Sequence, residues 1–190
     1  KILLLQIFAI INTLNKIKSL RKIFIAKNCI SKIMKKFIFF GIIFLGIFLD
    51  FGTKYFFHGP FQEIVFGDAI QNLHSYFPIF GDFFGIQLIY NTGIAFGMPI
   101  RGIFLKIITL AIIGGLAYYY TRYERPKQNQ CIDVAFACIF AGAFSHGYER
   151  IFVGQVIDFF SIKYFAIFNV ADIFITVGAI LLLYAYYAYE

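Results

Sequence analysis

Two aspartates, Asp158 and Asp172, lie in apolar sequence where a buried carboxylate is costly. Their surroundings read "QVIDFF" and "NVADIF", and no basic residue lies within four positions of either acid. If the short connection between them brings the acids together, like charge and desolvation raise the pKa of one carboxyl, so that one is protonated and one ionised near neutrality. Such a pair can activate a water and donate a proton to a leaving amine. Helix capping by Asp172 and simple solvation of Asp158 are the alternative interpretations.

Two further polar groups occur where the sequence is otherwise suited to a membrane. Asp50 and Lys54 are four residues apart and therefore share one face of a helix, where opposite charges neutralise each other. A structural ion pair is at least as consistent with this spacing as a catalytic one. His146, Glu149 and Arg150 close a later apolar segment, and we interpret them as a scaffolding polar cluster.

The composition indicates an integral membrane protein. Of 190 residues, 61% are hydrophobic and only 14% are charged, whereas a soluble domain of this size is about half apolar and a quarter charged. Roughly 20 apolar residues cross the hydrocarbon core as a helix. Four stretches meet that length when their flanks contribute: about residues 37–57, 102–120, 132–150 and 168–188.

The net charge of +7 indicates topology rather than nucleic-acid binding. Nine of the 17 Lys and Arg residues lie in residues 1–36, and a second basic group lies between the second and third predicted spans. The positive-inside rule then places both termini and the middle loop in the cytoplasm. Residues 58–101 and 151–164 face the other side, and so do the two aspartates. The three Cys residues lack the spacing of a zinc site, and we expect no metal or cofactor.

The chain divides into an N-terminal extension and one membrane domain. "MKKFIFF" from Met34 resembles an ordinary membrane-protein start, which makes residues 1–33 an upstream extension. These residues are basic and apolar, so that an interfacial helix is the other interpretation. In the first outer connection, "GDAIQNLHSYF" predicts an interfacial helix, and "GIQLIYNTGIAFGMP" predicts a short strand or hairpin. The expected fold is an all-α membrane protein: four transmembrane helices in residues 34–190, with a small extracytoplasmic β region and an interfacial helix.

Four ordered blocks carry a resemblance to a known family. They are "DFGTK" at 50–54, "NTGIAFG" at 91–97, "AGAFSHGYERIFVGQVIDF" at 141–159 and "FNVAD" at 168–172. In this order, and on four predicted spans, the chain resembles the lipoprotein signal peptidases (signal peptidase II), aspartyl proteases of the bacterial inner membrane. The resemblance covers about residues 36–188.

The resemblance implies an activity, a substrate and a set of site residues. Asp158 and Asp172 match the catalytic pair of the family. The implied substrate is a prolipoprotein whose lipobox cysteine already carries diacylglycerol, cleaved just before that cysteine, and membrane lipids are the other expected partner. Other residues of the four blocks are expected to support the site or bind substrate: Asn91, Arg150, Asn169, Asp50, Lys54, Glu149 and His146.

One block departs from the family pattern. Where the family usually has Gly-Asn-x-x-Asp-Arg, this chain has "SHGYER", so that Ser145, His146 and Glu149 replace Gly, Asn and Asp. Glu149 keeps the charge but extends the carboxylate by one methylene. If that group acted chemically, a displacement of about 1 Å could cost on the order of 10²-fold in rate.

Other classes of protein explain part of the sequence. A small proton-coupled transporter would also keep Asp and Lys in its spans, although along a path through the bilayer rather than at one boundary. A catalytically impaired, lipoprotein-binding relative would account for His146 and Glu149. A purely structural four-helix protein would explain the topology but not the ordered polar blocks.

Overall fold

The computed structural model describes residues 33–58, 76–93 and 102–189. The chain divides into two units, Lys1–Ile38 and Phe39–Glu190. Of the first unit, the structure describes residues 33–38, which are helical. The predicted extension at residues 1–33 therefore lies, apart from its last residue, outside the described part of the chain. The contacts described below all belong to the second unit.

Helices make up most of the second unit. We number the described helices α1 (33–58), α2 (Gly102–Tyr119), α3 (Gln130–Tyr148) and α4 (Val170–Tyr189). Helix α2 continues as a π-helical turn at Tyr120–Glu124 and a 3-10 turn at Arg125–Lys127. Helix α3 continues as a π-helical turn at Glu149–Val153 and stops at Gly154, whose φ of 87° is a conformation that glycine adopts without strain.

Three helical stretches among the described residues are long and apolar enough to cross a membrane. They are Gly102–Lys127, Gln130–Val153 and Val170–Ala188, and they overlap the predicted spans at 102–120, 132–150 and 168–188. The fourth predicted span, 37–57, lies within helix α1. That α1 crosses the membrane stays a prediction.

The β region is a four-stranded antiparallel sheet in the order β1-β2-β3-β4. Its strands are β1 (Tyr76–Phe80), β2 (Phe84–Asn91), β3 (Val156–Ile162) and β4 (Ala166–Phe168). In β2 the apolar Ile86 and Leu88 are buried on either side of the partly exposed Gln87, which is the alternation that the sequence predicted. The register between β2 and β3 shifts between Ile86 and Ile89, which places Ile89 opposite Asp158.

The prediction of an interfacial helix is wrong at the C-terminal end of that segment. The first part of "GDAIQNLHSYF" lies outside the described residues, but its last two residues, Tyr76 and Phe77, belong to strand β1. The cause is pairing with β2, because Tyr76 lies opposite Gln87 and Phe77 opposite Ile86. Long-range strand pairing overrides a weak helical spacing of apolar residues.

Helix α3 lies at the centre of the packing. The main apolar cluster joins it to α1, to α4 and to the turn after α2 through Ile43, Tyr120, Ile132, Phe136, Ala137, Phe140 and Ala185. Glycines allow this close approach: a Cβ atom at Gly178 would lie 2.7 Å from the carbonyl oxygen of Ala135, and one at Gly142 would overlap the carbonyl oxygen of Ala171. Small residues at such positions let helix backbones approach in membranes. The first turn of α4 is therefore held directly against α3.

Candidate active site

Asp158 and Asp172 both accept hydrogen bonds from the same residue, Asn169. Asp158 lies on β3 and is 7% exposed, whereas the carboxyl-bearing side chain of Asp172, in the first turn of α4, is 41% exposed. Asn169 lies between them: its Nδ2 donates to Asp158 Oδ1 at 2.6 Å, and its backbone N–H donates to Asp172 Oδ2 at 3.0 Å. The burial of Asp158 contradicts the alternative that it is simply solvated.

Asn169 and Asp172 also cap the start of α4. Asn169 Oδ1 accepts a hydrogen bond from the backbone N–H of Asp172 at 3.2 Å, while Asp172 Oδ2 accepts from the backbone N–H of Asn169. This reciprocal arrangement is a capping box, which satisfies two N–H groups that a helix start otherwise leaves unpaired. The capping interpretation of Asp172 is therefore correct, and it coexists with the placement of this acid beside Asp158.

His146 contacts the same carboxylate from α3. Its Nε2 lies 3.1 Å from Asp172 Oδ1, and the imidazole is 14% exposed. With the bond from Asn169, each oxygen of Asp172 has a hydrogen-bonding partner. His146 therefore contacts the candidate dyad directly, whereas the sequence had suggested a scaffolding role shared with Glu149.

Behind the aspartates lies a buried chain of ion pairs. Lys54 Nζ donates to Asp50 Oδ2 at 2.7 Å and to Glu149 Oε2 at 2.6 Å, and all three residues are at most 3% exposed. The ion pair predicted from the spacing of Asp50 and Lys54 is present. Asp50 Oδ1 also accepts from the backbone N–H of Ala171 at 2.9 Å, and Glu149 Oε1 accepts from the backbone N–H of Ile157 at 3.3 Å.

These ion pairs position the two aspartates through the backbone. Ala171 is the neighbour of Asp172 in the chain, and Ile157 is the neighbour of Asp158. A single network thus ties α1 to the first turn of α4, and the end of α3 to strand β3. Glu149, longer than the aspartate usual in the resembled family, fits here as a partner of Lys54.

The environment favours one protonated carboxyl. Burial, and after it the negative charge of Asp172, raise the pKa of Asp158 to about 6. The hydrogen bond from Asn169 and the positive charge of Lys54 act in the opposite direction but do not cancel this shift. Asp158 thus titrates close to neutrality, as a proton donor in hydrolysis requires.

Two of the predicted residues lie outside this network of bonds. Asn91 ends strand β2 opposite Val156, and its Oδ1 accepts from the backbone N–H of Gly93 at 3.0 Å. Arg150 is half-buried in the π-helical turn after α3, and its Nε has no hydrogen-bond partner among the described residues. Residues 94–97 of the "NTGIAFG" block lie outside the described part of the chain. Within that part, no group of three or more His, Cys, Asp or Glu side chains could hold a metal ion.

Sequence reasoning missed the backbone donors and two strands. The N–H groups of Ala171 and Ile157 bind carboxylates from distant helices, a contact that side-chain types cannot reveal. The sequence analysis predicts no strand at β3 or β4, although "VIDFFSI" is rich in β-branched and aromatic residues, a composition typical of strands. Capping by Asp172 was among the interpretations of the sequence, and the pattern Asn-x-x-Asp at 169–172 is the signal for the reciprocal role of Asn169.

Comparison with known proteins identifies the family of this chain. The sequence model of the signal peptidase (SPase) II family matches residues 42–188. The chain is 36% identical over 148 residues to the lipoprotein signal peptidase of Microcystis aeruginosa, covering 76% of this chain and 88% of that one. It is 34% identical over 139 residues to that of Caldanaerobacter subterraneus, covering 73% and 88%.

Solved structures agree with the sequence relatives. A bacterial membrane enzyme structure shares 27% identity with this chain at a TM-score of 0.64, covering 80% of this chain and 88% of that one. A second bacterial membrane enzyme structure shares 28% identity at a TM-score of 0.62, covering 78% of this chain and 91% of that one. With a family match over most of its length and relatives above 30% identity that it largely covers, the chain belongs to the signal peptidase II family.

Proposed function

We propose that this chain is an aspartyl endopeptidase that removes the signal peptide from diacylglyceryl-modified prolipoproteins, cleaving just before the lipidated cysteine. Its family supports signal-peptide removal from prolipoproteins. The observation that carries the aspartyl mechanism is the sharing of Asn169 by Asp158 and Asp172. Two acids held by one residue can divide the roles of base and acid.

In the proposed reaction the ionised aspartate accepts a proton from a water molecule while the water oxygen attacks the carbonyl carbon of the scissile peptide. The protonated aspartate then donates its proton to the departing nitrogen. The products are a carboxylic acid and an amine, and the dyad regains one shared proton. The raised pKa of Asp158 supports this division, because Asp158 then keeps its proton up to about pH 6, where an ordinary aspartate is already ionised.

The proposed location is a bacterial inner membrane. Helix α1 serves as the fourth span, residues 34–190 form the protease domain, and both termini lie in the cytoplasm, as the distribution of Lys and Arg favours. Both aspartates then lie at the outer boundary. Asp158 follows the segment that ends at Val153, and Asp172 belongs to the first turn of the segment that begins at Val170. A substrate helix beside the bundle would present its cleavage site at that level.

The remaining site residues act in two ways under this proposal. Asp50, Lys54 and Glu149 hold the backbone beside each aspartate through the network already described. Asn91 and Arg150 bind the substrate under this proposal. Arg150 has an Nε without a hydrogen-bond partner in the described residues, and Asn91 ends the strand beside β3. The 41% exposure of the Asp172 side chain leaves room for substrate on that side.

The test is cleavage of a diacylglyceryl-modified prolipoprotein by the purified full-length protein in lipid. Asp158→Asn and Asp172→Asn should each lower kcat/KM by about 10³-fold, because general acid or base catalysis contributes on that scale. Asp133→Asn is the matched control, since Asp133 is an acid in the first turn of α3 that accepts a bond from Tyr120. It should cleave at the wild-type rate.

The outcomes separate the competing interpretations. Cleavage by the wild type and Asp133→Asn alone supports the dyad. Equal cleavage by all four proteins would show that Asp158 and Asp172 are not the reacting acids. Failure of the folded wild type on a competent substrate would favour the impaired, lipoprotein-binding relative.

A further inference from the structure

The imidazole of His146 has an unusual balance of partners. Its Nε2 lies 3.1 Å from Asp172 Oδ1, whereas its Nδ1 is buried and has no hydrogen-bond partner among the described residues. A ring nitrogen that carries a proton is a donor, and a buried donor without an acceptor costs more free energy than a bare lone pair. Nδ1 is therefore the nitrogen without the proton, and Nε2–H faces the carboxylate.

The charged groups around this imidazole come from four elements. Asp172 on α4 is in contact, and Asp158 on β3 and Lys54 on α1 lie close enough to interact electrostatically within the same site. Glu149 and Arg150 follow in the turn that continues α3, and the carboxylate of Glu149 is bound to Lys54. Because Lys54 binds Asp50 and Glu149, Asp172 has no ion pair with this lysine, and its Oδ1 is the oxygen that contacts the imidazole.

We propose that His146 is a positioning residue that donates a hydrogen bond from Nε2–H to Asp172 and thereby makes Asp172 the ionised base of the dyad and Asp158 its proton donor. This inference rests on the proposed function and assigns the roles within it. An ionised carboxylate only accepts hydrogen bonds, and Asp172 has a donor at each oxygen, His146 at Oδ1 and the backbone N–H of Asn169 at Oδ2. Donors at both oxygens favour the ionised form.

Asp158 is bound differently. Its Oδ1 accepts from Asn169, and strand β3 holds it at 7% exposure in an environment that disfavours charge. The two acids therefore have unequal surroundings in this chain, one with two donors and partial exposure, the other buried. The asymmetry depends in part on His146, a residue that replaces the asparagine usual in the resembled family.

The decisive measurement is the pH dependence of kcat/KM for prolipoprotein cleavage, since this ratio reports the titration of the free enzyme. In His146→Leu the ionised form of Asp172 loses one donor, so that the acid limb should move to higher pH by about one pH unit, and cleavage at the foot of that limb should fall about tenfold. His146→Gln restores a neutral N–H donor of similar reach and should return the limb close to its wild-type position.

A matched control is available in His58→Leu. His58 lies near the end of α1, against the ring of Tyr90, and is exposed. Its removal should leave the acid limb in place. A merely structural role of His146 would lower the amount of active enzyme at every pH, whereas the proposed role moves the limb.

The results that would overturn the inference are distinct. A His146→Leu limb at the wild-type pH would overturn the positioning role, and a His146→Gln limb as displaced as that of His146→Leu would show that the imidazole acts as a cation rather than as a neutral donor. If Asp158→Asn and Asp172→Asn remain inactive in either case, only this inference fails. Full cleavage by those two variants would overturn the dyad and the role of His146 together.

An independent readout does not depend on cleavage. Side-chain ¹⁵N NMR of the wild type in lipid should show the neutral Nε2–H tautomer for His146 at pH 7, assigned by loss of the signal in His146→Gln. The Nδ1–H tautomer or the imidazolium at this residue would contradict the proposal.

Discussion

Among the described residues, carboxylates are buried in two clusters, and the two clusters bind them in opposite ways. In the Glu124 cluster (Tyr119, Glu124, Lys127 and Tyr186) one acid, whose side chain is 0% exposed, accepts on Oε1 from two phenols and one ammonium at 2.9–3.0 Å. The aspartate cluster (Asp50, Lys54, His146, Glu149, Asp158, Asn169 and Asp172) contains four carboxyls and one lysine, and the lysine binds two of the carboxyls. The first cluster balances its charge, whereas the second holds more acids than cations.

The difference teaches why one cluster is suited to chemistry. The carboxylate of Glu124 forms an ion pair with Lys127, which it shares with no other acid of its cluster, so that no proton is needed to neutralise it. In the aspartate cluster, Lys54 is shared by Asp50 and Glu149 and leaves Asp158 and Asp172 with Asn169 and His146 as their partners. Asp158 therefore keeps its proton up to about pH 6, well above the usual range of an aspartate. An excess of buried acids is a means of keeping a transferable proton.

The largest expected effect is the loss of the shared cation. Lys54→Met leaves Asp50 and Glu149 buried without a counter-charge, so we expect the free energy of unfolding to fall by about 3–5 kcal/mol and cleavage to be lost. Chemical unfolding in detergent and the cleavage assay measure the two effects. Lys127→Met is the matched change in the Glu124 cluster. Lys127→Met also leaves a buried acid without its cation, but Tyr119 and Tyr186 still donate to Glu124 Oε1, so the loss should be smaller, about 1–3 kcal/mol. Equal destabilisation by the two variants would refute the contrast.

The second expected effect is a pH dependence that only one cluster produces. The pKa of Asp158 is raised to about 6, so that this acid is protonated below that pH and loses its proton above it. As a proton donor it becomes inactive when ionised, and kcat/KM should fall about tenfold for each pH unit above the limb. Rates from pH 5 to 8 measure it, with Glu124→Gln leaving the limb unmoved. A constant kcat/KM over this range would contradict the assignment of Asp158 as the donor.

A smaller effect is expected within the Glu124 cluster. Glu124→Gln keeps an acceptor for Tyr119 and Tyr186 but loses the charge that binds Lys127, and it places an amide at Oε2, which has no partner among the described residues. We expect a loss of about 1–3 kcal/mol in the free energy of unfolding, with unchanged cleavage per folded molecule. A fall in kcat/KM would show that this cluster is coupled to the reaction.

The smallest expected effect belongs to a single phenol. Tyr186→Phe removes one of three donors to Glu124 Oε1 and leaves Tyr119 and Lys127 in place. The expected loss is about 1 kcal/mol, the usual net value of one hydrogen bond. Thermal unfolding followed by circular dichroism measures it, and a loss as large as that of Lys54→Met would contradict the view that donors here are redundant.

Sequence reasoning was most successful where the signal is local. The Asp50–Lys54 ion pair follows from helical spacing, and the apolar stretches at 102–120, 132–150 and 168–188 follow from composition, because both depend on neighbours in the chain. The helix that opens at Val170 rather than at 168 reflects the Asn169 cap and strand β4, which ends at Phe168. Spacing alone placed that boundary two residues early.

Contacts between distant segments were beyond a single sequence. Lys54 and Glu149 are 95 residues apart, and the hydrogen bond from Ala171 to Asp50 spans 121. The sequence identified both aspartates as a potential pair but could not show that Asn169 joins them. It also assigned Tyr76 and Phe77 to a helix, because their strand partners in β2 are brought close only by the fold.

The glycines that hold α4 against α3 have a consequence for mutational tolerance. A methyl group at Gly142 would push on the carbonyl oxygen of Ala171, next to Asp172, while Gly114 and Gly115 on α2 have nothing within 4 Å of an added Cβ. In a library of random variants, alanine should therefore be depleted at position 142 and accepted at 114 and 115. A mutational screen limited to the acidic residues would therefore miss Gly142, where a substitution inactivates the protein by forcing two helices apart.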